Sequence, residues 1–184
     1  MLEINVEDRE LFDEQTERFY YVKGAILKLE HSLISVSKWE SKWKKPFLDS
    51  KEKSNEELVD YIRCMTLNAN VDDSTYMGLT QENYIEVSRY INDEMTATWF
   101  NDKGPGSSRP GKKGQVVTSE LIYYWMIAYD IPSEYQKWHL NRLLTLIRIC
   151  EIKNQPSKKM SKKNILSSNR SLNEARKKAM GTRG

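Results

Sequence analysis

Residues 118–154 read TSELIYYWMIAYDIPSEYQKWHLNRLLTLIRICEIKN. Two apolar segments meet at one tight corner. Thr118 or Ser119 is placed to cap the first, because a side-chain oxygen there satisfies an amide that the first turn of a helix leaves unbonded. Leu121, Ile122, Tyr124, Trp125 and Ala128 make this first helix apolar nearly all round, which suits burial. Asp130-Ile131-Pro132 ends it, since the residue before a proline is driven out of helical space. Ser133 with Gln136 three places on has the form of a capping box. A second helix from there carries Leu140, Leu143, Leu144, Ile147 and Cys150 at 3.6-residue spacing, widened by Trp138 and Ile149. Short connections usually join neighbours in space, so this pair is expected to supply the largest share of the core.

Working outward toward the N-terminus, Thr80 caps a helix bearing Tyr84, Val87, Ile91 and Met95, and residues 96–100 read as its end or a short strand. Ser54 and Glu57 form a capping box for a helix through Leu58, Ile62 and Met65. Residues 68–74 are polar and rich in turn formers. Ser32 precedes Leu33, Val36, Trp39 and Trp43, spaced for a helix over 33–44 that Pro46 closes; the β-branched stretch around Val36 is the one argument for a strand there. The first 29 residues alternate as short strands at 2–6, 11–12, 19–22 and 25–29, with a hairpin turn over 13–17 and Gly24 as a break. The fold class is therefore mainly α with a small β part (α+β): a helical domain, an N-terminal β-hairpin region and a basic helical tail.

At 184 residues, 39% hydrophobic and 30% charged, the chain suits one domain with a modest core plus an appendage. No apolar run is long enough to cross a bilayer, and the acidic start MLEINVEDRE has no signal-peptide core. Cys64 and Cys150 fall on apolar helix positions, as buried free thiols do in a reducing compartment, with a disulfide between them as the alternative. The net charge of +3 conceals a division: from Lys153 onward ten Lys/Arg face one acidic residue, Glu174. The preceding chain holds nineteen basic and twenty-five acidic residues, so a body near −6 is joined to a tail near +9. We place the boundary at 154, with a body over 1–154 and an arm over 155–184.

Signals for chemistry are weak. Gly106-Ser107-Ser108-Arg109-Pro110-Gly111-Lys112 matches seven places of a phosphate-binding loop, but the eighth is Lys113 where Mg²⁺ binding needs Ser or Thr. His31 and His139 have no partner at metal-ligand spacing and read as structural or surface imidazoles. Trp39 and Trp43, one turn apart, read as a packed face before a stacking platform. No catalytic residue, cofactor or metal site is expected. The tail is more informative. Lys158, Lys159, Lys162 and Lys163 form one basic cluster and Arg176, Lys177, Lys178 and Arg183 another, with Ile165, Leu172, Ala175 and Ala179 near one helix face and Leu166 alongside. Such a helix is marginal alone and suits docking to an acidic surface. Phosphates of nucleic acid are the alternative counter-charge.

Three stretches resemble morphogenesis proteins of long-tailed bacteriophages: EHSLISVSKWESKWKKPFL (30–48), MTATWFND (95–102) and YYWMIAYDIPSEYQKWHLNRLLTLIRICEIKN (123–154). The ending KKMSKKNILSSNRSLNEARKKAMGTRG (158–184) is similar to the basic tails of the same group, and the nearest family is the tail assembly chaperones. The resemblance implies a small, mostly helical, non-enzymatic protein whose tail engages tail-tube or tape-measure proteins, in the infected host's cytoplasm or in the virion. Its N-terminal strand region departs from the simplest all-helical chaperones. The partner-binding residues would be Lys158, Lys159, Lys162, Lys163, Ile165, Leu172, Arg176, Lys177 and Lys178, with the cations steering toward an acidic partner and Ile165 and Leu172 anchoring. Alternatives are a minor structural protein kept in the mature particle and a small nucleic-acid-binding module; a membrane partner is not expected, and an oligomer is compatible with all three.

Overall fold

A computed structural model describes residues 1–14, 17–100, 116–154 and 162–181. The order is β1 (Leu2–Val6), β2 (Arg9–Asp13), β3 (Arg18–Val22), β4 (Ala25–Leu29), α1 (Leu33–Trp43), α2 (Asn55–Met65), α3 (Asp73–Met77), α4 (Gln81–Asn92), α5 (Ser119–Ala128), a 3-10 turn (Ser133–Lys137), α6 (Leu140–Asn154) and α7 (Lys162–Met180). The protein is mainly α with a short antiparallel β part. The chain divides into two compact units, Met1–Ile152 and Lys153–Gly184.

The strands form one ribbon, a long hairpin whose ladder is interrupted between two two-stranded antiparallel sheets. β1 pairs β4 with Leu2 opposite Leu29, and β2 pairs β3 with Arg9 opposite Val22. The partner numbers share one register through both halves, yet the side chains change phase. Leu2, Ile4 and Val6 face inward on β1, whereas Arg9 and Leu11 do so on β2. Each strand therefore carries one extra residue at the junction, a matched break at 7–8 and 23–24 that swaps the inward-facing phase without slipping the register. Asp8 secures the break: its Oδ1 accepts the Gly24 N–H at 2.9 Å and the Tyr21 hydroxyl at 3.0 Å. A Cβ on Gly24 would lie 2.6–2.9 Å from backbone atoms of Val6, Glu7 and Asp8, so only glycine fits there. Across the break, Thr75 on α3 donates to the Lys23 carbonyl at 2.7 Å.

Local chemistry sets the helix starts. Ser32, Ser54 and Thr80 each close a reciprocal capping box with Ser35, Glu57 and Asn83, and Thr118 caps α5 alone. Residues 33–43 are helix, not strand; α1 ends at Lys44, whose φ of 54° is left-handed. Val36 and Leu33 prefer burial in a helical stripe over any strand partner, since Trp39 extends that stripe to the core. Residues 66–68 leave α2 to run beside β4: Glu30 donates to the Met65 carbonyl and Leu67 to the Lys28 carbonyl.

Three expectations need correction. The core is not centred on the α5/α6 pair. Its fully buried members come from the inner ribbon face (Ile4, Val22, Leu27, Leu29), α1 (Leu33, Val36, Trp39), α2 (Tyr61, Ile62, Met65), α5 (Ile122) and α6 (Leu140, Leu143, Ile147), and α1 is the element that touches α2, α5 and the 3-10 turn. Apolar composition overstated α5: Ile122 and Met126 are buried, but Tyr124 and Ile127 are exposed. Second, the capping box at Ser133 does not form. Pro132 sits at the cap position of a 3-10 turn with no side-chain hydrogen bond, and α6 starts at Leu140, whose N–H donates to the His31 carbonyl at 2.7 Å. Third, α4 ends at Asn92, before Met95, and residues 93–100 are irregular. The phosphate-loop-like residues 106–113 and the turn residues Gln15 and Thr16 lie outside the described residues.

Candidate docking site

The arm is assembled from sequence upward. Its helix α7 runs for nineteen residues, with Arg170 paired to Glu174 one turn on at 3.2 Å and Gly181 closing the end at φ 63°. Glycine tolerates that left-handed geometry without a Cβ clash. Every described side chain of the helix, 166–180, is exposed. Leu166, Leu172 and Met180 are more than half open to solvent, an arrangement that leaves apolar area uncovered. Of the anticipated docking residues, Leu172, Arg176, Lys177 and Lys178 lie here, and helical spacing brings Leu172 and Arg176 to adjoining turns. Lys162, Lys163 and Ile165 belong to α7 but their side chains lie outside the described ones, as do Lys158 and Lys159 altogether.

A second exposed surface was not singled out from the sequence. On the outer face of β2 and β3, Phe12 stands opposite Phe19 and Glu10 opposite Tyr21. The two phenyl rings lie 5.0 Å apart, and Phe12, Phe19 and Tyr21 are 52%, 71% and 61% exposed. The aromatic content was visible as Phe12 and the run Phe19-Tyr20-Tyr21, but neither stretch alternates, so the sequence carried no signal for which face each ring takes.

Inside the body the titratable groups are tied into structure. His31 is buried; its Nδ1 shares a hydrogen bond with the Tyr61 hydroxyl, and its ring packs against Phe47, Tyr61 and His139. Burial and the neighbouring His139 push its pKa down to about 3. His139 donates from Nε2 to the Tyr90 carbonyl at 3.0 Å, which fixes the neutral tautomer and leaves Nδ1 bare, without a hydrogen-bond partner among the described residues. Burial lowers its pKa too. Tyr90 donates its hydroxyl to Glu30 at 2.7 Å. Both histidines are thus interior structural groups. Both side chains are shielded from solvent.

Trp39 and Trp43 stack at 6.1 Å, but both indole N–H groups are spent, Trp39 on the Glu57 carbonyl at 2.9 Å and Trp43 on the Asp60 carboxylate at 2.8 Å. They lock α1 to α2. Lys53 lies over Trp39 and Phe47, and burial lowers its pKa. A cavity of about 170 Å³ opens beside them, lined by Trp39, Lys45, Asp49, Lys51, Glu52 and Glu57 among others. That is small for a cofactor, and its one buried carboxylate, Glu57, is engaged by Lys45 and by the Ser54 N–H. Cys64 and Cys150 are free and partly buried, and burial raises the Cys64 thiol. Among the described residues no three His, Cys, Asp or Glu side chains converge as metal ligands, and no helix is long and apolar enough to cross a membrane.

Compared with protein-family models, with curated proteins and with solved structures, the chain matches none. The functional reading therefore rests on the chain's own surfaces.

Proposed function

We propose that this chain is a non-enzymatic assembly protein of tailed-bacteriophage morphogenesis, similar to tail assembly chaperones, that engages virion or tail proteins through its basic C-terminal arm. One observation carries the docking role: α7 holds cations and large apolar side chains together in solvent, with Leu166, Leu172 and Met180 uncovered along a helix whose last turn contains Lys177 and Lys178. A cationic amphipathic helix of this kind gains from an acidic partner twice over, through charge steering on approach and apolar burial on contact. The phage assignment adds the sequence resemblance of 30–48, 95–102, 123–154 and 158–184.

The test is affinity capture of the full-length chain from infected or co-expressing bacteria. We expect a tail or other virion protein in the eluate, and its loss when Arg176→Glu, Lys177→Glu and Lys178→Glu are combined. An eluate free of virion proteins refutes the reading. Mass spectrometry of purified particles then separates a departing chaperone from a retained structural protein. Retention on nucleic acid that survives about 0.2 M salt would instead favour phosphate binding.

A further inference from the structure

Among the described residues, two exposed surfaces of this chain are opposite in charge and alike in apolar content. Residues 7–18 carry six carboxylates against two arginines, and one of those arginines, Arg9, is turned to the Gly78 carbonyl. In the midst of this acidic strip the outer β2/β3 face presents Phe12, Phe19 and Tyr21 to solvent. Two such faces packed on each other would set carboxylates against carboxylates, which opposes symmetric pairing. An anionic membrane or nucleic acid is repelled for the same reason. The occupant has to be cationic and apolar together, and α7 has that composition: six Lys/Arg against Glu174, with Leu166, Leu172 and Met180 exposed.

We propose that α7 of one copy docks across the outer β2/β3 face of a second copy, Leu172 and its neighbours against Phe12 and Phe19, and Arg176, Lys177 and Lys178 toward Glu10, Glu14 and Glu17. This rests on reading α7 as a docking arm. Because donor and acceptor patches differ, every copy retains one of each, so association is head-to-tail and continues into chains or closes into rings. A supply of free virion protein would compete for the arm and dismantle these assemblies.

Two full-length variants test this by sedimentation velocity. One has a crippled acceptor (Phe12→Ser with Phe19→Ser), the other a crippled arm (Arg176→Glu, Lys177→Glu, Lys178→Glu). All five positions are exposed, and circular dichroism confirms that each variant keeps the native helix content before it is used. The unaltered chain should self-associate with rising concentration and dissociate at about 0.5 M salt. Each variant alone should be monomeric, and an equimolar mixture should form a heterodimer and nothing larger, since one working junction remains. A monomeric unaltered chain, self-association untouched by Phe12→Ser/Phe19→Ser, or a mixture that stays monomeric would overturn the proposal. Capture of a virion protein by the Phe12→Ser/Phe19→Ser variant would meanwhile leave the arm's role toward other proteins standing, so the two failures are told apart.

Discussion

The imidazoles of His31 and His139 stand edge to face with centroids 5.0 Å apart, in the interior, each held by a different part of the chain. Their carriers are bridged directly, Ser32 pairing with His139 as an isolated antiparallel bridge. A proton on either ring would place a charge beside its neighbour with little water to share it.

Acid should therefore destabilise the body well above the carboxylate range. Both pKa values are lowered in the folded state, that of His31 to about 3, against about 6.5 when unfolded. The contribution is fully present above pH 6.5 and is lost as pH falls toward 3, because the unfolded chain takes up protons that the folded chain refuses. For His31 alone the slope approaches about 1.4 kcal/mol per pH unit below 6.5. Urea unfolding between pH 8 and pH 4.5 measures it. A flat profile over that window would contradict the neutral, buried pair.

Glu40 is the tie between the two halves of the body. Its Oε1 accepts the Phe47 N–H at 2.7 Å and its Oε2 the Ser119 N–H at 2.8 Å, at the first residue of α5. The carboxylate also faces the positive end of that helix. Glu40→Gln turns one acceptor into a donor and should cost about 1–3 kcal/mol, with Glu40→Ala costing more. Chemical denaturation midpoints give the answer; an unchanged midpoint in Glu40→Ala would mean that water replaces both bonds.

Gly24→Ala should loosen the ribbon break, because the added methyl meets backbone atoms that have no free rotation to escape it. A loss of about 2 kcal/mol is expected, or roughly 4–8 °C in melting temperature for a body of this size. Thermal unfolding tests this, and amide exchange at Lys23 and Gly24 should quicken in the same variant. An unchanged melting temperature would show that the break relaxes freely.

Removing residues 155–184 should leave a folded, soluble body. The described side chains of α7 contribute no burial, and surface changes of that kind stay within about 0.5 kcal/mol. Calorimetry of the truncated chain checks it. Precipitation would mean that the arm belongs to the core, and the division of labour between body and arm would fall.

The parts legible in the sequence are those decided within four or five residues. Ser54 with Glu57, and Thr80, place helix starts because a cap is a local hydrogen bond, and Leu33, Val36 and Trp39 announce α1 by their spacing. What escaped was decided at a distance. Ser133 had the right neighbour for a capping box, but Pro132 before it and the docking of Leu140 on His31 held that stretch in a 3-10 turn. The burial of Glu40 depends on an amide 79 residues away. The phase change at 7–8 needs a matching extra residue on the opposite strand, so the outward turn of Phe12 and Phe19 could not be read from either strand alone. The cationic positions of the arm were legible from composition, and their solvent exposure at 170 and 176–178 came only with the coordinates.

The bonds that bring α5 and α6 onto the body also predict the order in which it folds. The ribbon and the α1/α2 pair close through nearby sequence, whereas Ser119 reaches Glu40 across 79 residues and Leu140 must find His31 from farther still. Closing so long a loop is entropically slow and is rewarded only when both ends are already shaped. The rate-limiting nucleus should then lie in the first seventy or so residues, with α5 and α6 arriving after the barrier. Mutations at Ile122 or Ile147 would accelerate unfolding and leave refolding rates almost unchanged, whereas a folding arm slowed by either one would place the nucleus in the C-terminal half.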